Sequence, residues 1–294
     1  MGHPQDPICA AVCARLEALG HPARIVASPF EPPARFAWRL DGRAPVSRLA
    51  WDDATDGAPI AGVLVRSAGW PDPDGWDPAD HAYMQAETQA ALLAWLAGLP
   101  CPVVNRAAAG FFYRPRLPLV AWRPLLRRAG LPSTETLVTN DPQVARDFGR
   151  RLEAEGAGGA VCTPLTGETA WLVAGPDWAG LAALQEVTPV CLAEPHGPAQ
   201  SACVVGDRII WDGAASDEVA ALAPGLLRLA GIAGLAFLEV AVAPVRRGMV
   251  VVLVDPLPAL DRFRRKARDR ILDALVGVLT AAGAAVRPAL EVGR

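Results

Sequence analysis

The sequence predicts an α/β protein made of α+β lobes. Amphipathic stretches of helical length alternate with short apolar runs. Several of those runs come in pairs around tight turns, Asp41-Gly42 and Gly206-Asp207. The chain has 294 residues, 52% of them hydrophobic, enough for two or three lobes with cores of their own.

Taken in order, Ile8, Val12, Leu16 and Leu19 share one face of a helix over Ile8–Leu19 that Gly20 stops. Arg24–Ala27 reads as a strand. Arg35–Leu40 and Val46–Trp51 flank Asp41-Gly42 as a hairpin, and Ile60–Arg66 reads as a buried strand. The stretch from Trp70 to Trp76, rich in Pro, Asp and Gly, is loop. His81–Leu99 is a helix, Val103–Asn105 a short strand, and Arg123–Gly130 a helix starting near Pro124. Thr136–Thr139 is a strand, after which Asn140-Asp141-Pro142 caps a helix running to about Glu155.

The second half is richer in strands: Ala160–Thr163, Ala170–Ala174, Val190–Ala193, then Ala202–Val205 and Arg208–Asp212 around Gly206-Asp207. Val219–Leu229 reads as a helix broken by Pro224. Leu235–Val242 and Met249–Val254 make an antiparallel pair, and Arg264–Ala282 is an amphipathic closing helix. Domain boundaries fall near residues 106 and 188, which divides the chain into 1–106, 107–188 and 189–294.

Charge and cysteine usage narrow the function classes. Net charge is −3, without a long basic run, so a nucleic-acid surface is not expected. No apolar run reaches membrane length, no signal peptide is evident, and a cytoplasmic setting is expected. Six cysteines and four histidines are scattered. Cys9 and Cys13 lack a second ligand pair, so no metal site and no cofactor are expected, and free thiols in a reducing compartment fit the pattern. Among 28 Lys and Arg residues, Lys266 is the one lysine. A composition rich in Ala, Gly, Pro and Arg explains Arg in place of surface Lys, but not an uncharged residue in place of a required Lys.

The order of several motifs resembles the ATP-grasp ligases that modify ribosomal peptides, the graspetide or microviridin type. Asp6-Pro7 with Val12, Leu16 and Gly20 is similar to their first helix, and Val63-Leu64-Val65-Arg66 to a strand ending in Arg. Glu87–Leu99 followed by Pro102-Val103-Val104-Asn105 is similar to their next helix and strand. Gly130-Leu131-Pro132 followed by Thr136–Pro142 is the most specific match. Val204–Arg208 resembles a hairpin of the family, and Val254-Asp255-Pro256 stands where those ligases carry Glu-Val-Asn-Pro. The resemblance implies an ATP-grasp-like fold with a truncated pre-ATP-grasp amino-terminal domain (1–106), a central lobe (107–188) and a carboxy-terminal lobe (189–294).

The departures from the family pattern are chemical. Where the family has a lysine on a Tyr-Lys-Pro-Leu strand, this chain has Val161-Cys162-Thr163-Pro164-Leu165, with Thr163 in the lysine's place. A second family lysine belongs between Asn105 and Gly130, where only arginines occur. The family's Arg-Val becomes Ala202-Cys203. Its magnesium ligands, an Asp and then Glu-x-Asn, become Glu239, Leu253 and Asp255. Leu253 offers no oxygen to a metal. Each lost clamp on a transferring phosphoryl group removes about 10²–10³-fold in rate. Glu239 and Asp255 read as leftover carboxylates at strand ends, solvated or paired with arginine. Cys162 and Cys203 read as buried structural thiols.

Peptide-binding candidates are Phe112, Tyr113, Arg114 and Arg116, where aromatics precede two arginines, together with Arg123 and Trp171. Trp70, Trp76, Trp178 and Trp211 are further groove candidates, with simple packing the alternative for each. The basic run from Arg262 to Arg270 reads as a solvated helix face.

On these grounds the expectation is a catalytically inactive ATP-grasp-like protein. It would bind a ribosomal precursor peptide and present it to a modifying enzyme, resembling crocagin-type peptide-binding proteins. The alternative is an active ATP-dependent ligase with rearranged nucleotide contacts, using Glu239 and Asp255 for metal; a third class is a structural subunit that stabilises a true ligase. A homodimer is expected from the resemblance, with no nucleic-acid or membrane partner.

Overall fold

The computed structural model describes residues 1–30, 33–40, 46–50, 59–67, 73–105, 118–163, 165 and 170–281. Asp41-Gly42 and Trp70 lie outside them. Helix α1 (Pro7–Ala18) starts where Asp6 Oδ1 accepts the N–H groups of Ile8 and Cys9, both at 2.9 Å. Strands β1 (Arg35–Arg39) and β2 (Val46–Ala50) pair antiparallel, as the hairpin reading expects. β3 (Val63–Leu64) runs parallel to β4 (Val103–Val104), and α2 (Pro78–Gly98) makes the crossover between them. Trp95 of α2 is buried, edge-on to Phe36 at 5.5 Å, and its Nε1 donates to Ser47 Oγ at 3.0 Å.

The strand expected over Arg24–Ala27 does not form. Val26 accepts one hydrogen bond from Gly2 N–H (2.9 Å), and the amino-terminal segment then continues to Arg66, whose N–H donates to the Met1 carbonyl (2.8 Å). With one rung and no partner strand, no ladder propagates.

Helix α3 (Leu119–Ala129) begins four residues earlier than Arg123, so Pro124 lies inside it rather than at its start. A proline there removes one backbone hydrogen bond. Full burial of Trp122, Leu126 and Ala129 outweighs that loss. Gly130 closes the helix in the left-handed region, φ 71°.

Strand β5 (Thr136–Thr139), helix α4 (Pro142–Ala154), strands β6 (Ala160–Cys162) and β7 (Trp171–Val173), helix α5 (Asp177–Gln185) and strand β8 (Val190–Ala193) follow. Their strands form one antiparallel sheet in the order β5-β8-β6-β7. Asp141 caps α4 through the N–H groups of Gln143 and Val144, as its position predicts. Ala145, Phe148, Leu152 and Leu181 of α4 and α5 cover one face of this sheet, packing on Cys162, Val173 and Leu192. The sequence reading did not anticipate α5. It is held by Trp178, whose ring lies so close to Gly149 that a Cβ there would sit 2.1 Å from the ring.

The second four-stranded sheet takes β9 (Gln200–Val205), β10 (Arg208–Trp211), β11 (Phe237–Val245) and β12 (Gly248–Asp255) in the order β10-β9-β11-β12. Between its hairpins lie α6 (Asp217–Ala220) and α7 (Ala223–Ala233). The single helix expected over Val219–Leu229 is thus two helices, because Pro224 belongs in a first turn and starts α7. After a short 3₁₀ turn (Leu260–Arg262), α8 (Arg265–Thr280) packs with α1 on one face of this sheet, against Cys203, Val205 and Phe237. α3 and α7 cover the other face, against Ala202, Val204, Leu238 and Val240. Arg15 of α1 ties to Asp269 of α8 at 2.8 Å. Among the described residues no helix is long and apolar enough to cross a membrane.

Candidate functional site

Two clusters of chemistry stand out, one on each four-stranded sheet. The first is on β11 and β12. Register sets Glu239 directly opposite Asp255 on one side and Cys203 on the other. Glu239 is 0% exposed; its Oε2 accepts the Ala259 N–H at 3.3 Å, and its Oε1 has no hydrogen-bond partner among the described residues. Burial pushes its carboxyl above the ordinary value, opposed by the Ala259 N–H and Arg262 and reinforced by Asp255 and Asp261. Asp255 is buried, and its Oδ1 accepts the Leu257 N–H at 2.8 Å. Leu253 is half-buried on β12, opposite Ala241.

The expectation that Glu239 is solvated or paired with arginine is therefore corrected. Strand partners on both sides and the segment through Ala259 enclose it. Arg66 is spent elsewhere: its Nε donates to Asp6 Oδ2 at 3.2 Å and its guanidinium lies 6.0 Å from the Phe237 ring centre. Burial pushes the Asp6 carboxyl up, but the Cys9 N–H and the Arg66 charge outweigh it and hold that carboxyl below its usual value.

The cysteine readings agree with the structure. Cys162 and Cys203 are buried. Burial pushes the Cys162 thiol to about 11 and raises Cys203 well above its usual range. A nucleophile needs the opposite shift.

The second cluster is on the sheet of β5–β8. Strand alternation puts Val138, Val161, Cys191 and Ala193 on the face that α4 and α5 leave open. Thr163 extends β6 by one rung, its N–H donating to the Cys191 carbonyl at 2.9 Å. Thr163 is half-buried and carries no charge. Arg123, half-buried on α3, reaches toward the same face: its guanidinium opposes the upward push that burial gives the Cys191 thiol. Among the described residues Arg123 makes no hydrogen bond or ion pair.

The sequence-predicted residues are thus partly brought together. Arg123 and Thr163 address neighbouring parts of one face. Trp171 stands opposite Cys162 on edge strand β7, on the other side of the sheet, and is 42% exposed. Phe112, Tyr113, Arg114 and Arg116 lie outside the described residues. Trp178 packs on Gly149 and Trp211 packs against the core under α7, while Trp76 is exposed. Sequence reasoning missed Arg127, which lines a cavity with Arg123. The signal was their spacing of four, one turn apart on one helix face.

The donor set does not fit magnesium. Leu253 supplies no oxygen. Glu239 is enclosed, with burial raising its carboxyl above the ordinary value, and Asp255 is engaged by the Leu257 N–H. Among the described residues no three metal-ligating side chains converge.

A scan against protein-family models finds no match, and neither does a search of curated proteins. Solved structures do match. The macrocyclase MdnC, bound with precursor peptide MdnA from Microcystis aeruginosa MRC, aligns at TM-score 0.71 and 16% identity, over 94% of this chain and 97% of that one. The ATP-grasp ligase PsnB, complexed with minimal precursor, Mg and ADP, aligns at TM-score 0.72 and 21% identity, over 95% and 97%. A RiPP-associated ATP-grasp ligase of Chryseobacterium gregarium, in complex with ADP and a leader and core peptide, aligns at TM-score 0.68 and 12% identity, over 94% of both chains. At such identities the common property is architecture, and it extends over nearly the whole length: this chain has the fold of the ATP-grasp ligases of ribosomal peptides.

Proposed function

We propose that this protein binds a ribosomal precursor peptide and presents it to a modifying enzyme without ligase chemistry of its own. The observation that carries the reading is the state of the three positions that face nucleotide and metal in the family pattern. Thr163 is uncharged, Leu253 is apolar, and Glu239 is sealed with an Oε1 that has no partner among the described residues. Phosphoryl transfer to a carboxylate depends on cations that spread the developing charge. The peptide half of the reading is supported by the solved neighbours, several of which hold precursor peptides. The test is calorimetric titration with short peptides translated from open reading frames flanking the coding sequence, together with ADP release from ATP. Binding with no ADP release is expected. Failure to bind at high micromolar peptide would defeat the proposal.

A second reading is favoured by one observation. Arg123 projects toward the face that carries Thr163 and pairs with nothing among the described residues. An active ligase with rearranged contacts would use it on phosphate. Peptide-stimulated ADP release, abolished by Arg123→Gln, would establish that reading in place of the first. A homodimer is part of the first proposal, and light scattering on the purified protein tests it.

A further inference from the structure

We propose that the groove between α3 and the segment from Gly130 to Ser133 takes an extended acidic peptide, gripping two carboxylates set two residues apart. The inference rests on the peptide-binding reading above and names where and by what chemistry the peptide is held.

The groove encloses about 670 Å³, within the range of sites that hold small ligands and peptide side chains. One wall is a single face of α3: Val120, Arg123, Pro124 and Arg127 recur at helical spacing. The opposite face of α3, with Trp122, Leu126 and Ala129, is buried without remainder in the core, so this wall is fixed. The floor is equally fixed. Val251 N–H donates to the Pro132 carbonyl at 2.9 Å, and Ser133 bridges to Val251, holding the segment along the edge of β12.

Charge selects the occupant. Among the described residues two guanidiniums line the groove and no acidic side chain does. Neither Arg123 nor Arg127 makes a hydrogen bond or ion pair among the described residues. A helix carboxy-terminus would by itself repel an anion. Here Arg228 covers it, its Nε and Nη2 both donating to the Ala129 carbonyl at 3.1 and 2.9 Å. Among the described residues the groove is therefore cationic, and the helix terminus beside it is already met by Arg228. Arginine suits carboxylates because its planar fork makes paired hydrogen bonds.

Spacing selects the peptide's form. Four residues of helix rise about 6 Å. Side chains on one face of an extended strand repeat at about 6.7 Å. Arg123 and Arg127 thus match carboxylates at positions n and n+2 of an extended chain, with Val120, Pro124 and Leu131 offering apolar surface between them.

The test uses the full chain and fluorescein-labelled peptides in a Gly/Ser background, carrying Glu-Ser-Glu, Gln-Ser-Gln or Glu-Ser-Ser-Glu. Anisotropy should show salt-sensitive binding of Glu-Ser-Glu and about tenfold or more weaker binding of the other two. Arg123→Gln with Arg127→Gln should erase the preference, whereas Arg247→Gln with Arg265→Gln, the same change of charge at residues that do not line the groove, should keep it. If the double variant melts early, Arg127→Gln alone, at an exposed position, should still weaken Glu-Ser-Glu. A preference that survives in the double variant overturns the proposal. So does inorganic triphosphate binding more tightly than Glu-Ser-Glu through the same two arginines. Precursor titration separates the two claims: a precursor that binds the double variant and wild type alike sinks the groove and leaves peptide binding standing. A precursor that does not bind wild type sinks both.

Discussion

The side chain of Asn105 takes both backbone hydrogen bonds of Phe237: its Oδ1 accepts the N–H at 2.8 Å and its Nδ2 donates to the carbonyl at 2.7 Å. The same Nδ2 donates to the Pro256 carbonyl at 3.0 Å. Asn105 thereby acts as a one-residue strand neighbour, joining the end of β4 to the start of β11 and to the turn after β12. It holds a positive φ of 55°, a region asparagine tolerates better than most residues. Glu239 lies two residues along β11 and Asp255 immediately precedes Pro256, so one amide sets the position of both carboxylates. Asn105→Ala leaves three buried backbone groups without a partner. We expect a loss of about 3 kcal/mol or more, read as a drop in the urea midpoint at unchanged slope.

Glu239 gives a pH prediction whose sign is opposite to that of a salt-bridged carboxylate. Its folded-state pKa is raised, chiefly by burial. Between the unfolded value and the folded one, the native state binds more protons than the unfolded chain. Stability therefore falls as pH rises through that window, and the whole penalty is present above the folded pKa. The charged groups around it are Asp255, Asp261 and Arg262, with Cys203 opposite on β9. Glu239→Gln should flatten the pH dependence and leave the protein as stable as wild type, or more so, at pH 8. Denaturation at a series of pH values checks this. A variant that keeps the wild-type slope would show that Glu239 is not its source.

Gly149→Ala tests the packing that fixes α5. Alanine in a helix interior gains about 1 kcal/mol over glycine from propensity alone. At Gly149 the new Cβ would lie 2.1 Å from the Trp178 ring. Overpacking of that kind costs about 1–3 kcal/mol or more. We expect a net lower melting temperature and an altered tryptophan emission. A gain in stability would mean that Trp178 does not seat on Gly149.

Thiol labelling follows from the burial of the cysteines. Cys13 is half-buried, while Cys9, Cys101, Cys162, Cys191 and Cys203 are buried. Burial pushes the Cys9 and Cys162 thiols to about 11. Iodoacetamide on the native protein at pH 8 should modify Cys13 first, and Cys162 and Cys203 only as the chain unfolds. Rapid modification of Cys162 in native protein would contradict its reading as a buried structural thiol.

What the sequence made legible was local. The cap at Asp141, the stop at Gly130 and the Gly206-Asp207 hairpin are turn chemistry, and each stands where its residues place it. Pro124 misled because its helix is decided by burial of Trp122 and Leu126, a tertiary effect that overrides a local breaker. α5 escaped notice because its evident partner, Gly149, is distant in sequence and carries no side chain to signal the contact. That Thr163 carries no charge, Leu253 no donor oxygen and Glu239 a carboxylate was readable from the sequence. The enclosure of Glu239 was not, since it depends on β9, β12 and the Ala259 segment closing around one carboxyl. Strand alternation likewise separates Trp171 from Arg123 only once it is known which face α4 and α5 cover.

The central claim is that this chain, with Thr163, Leu253 and an enclosed Glu239, does not hold a magnesium nucleotide. Calorimetric titration with a non-hydrolysable ATP analogue and magnesium, in the presence of the precursor peptide, tests it most directly. The account predicts no binding heat for wild type, and a measurable one after Thr163→Lys, Leu253→Glu and Asp255→Asn are introduced together. Stoichiometric, magnesium-dependent binding to the wild-type chain would contradict it.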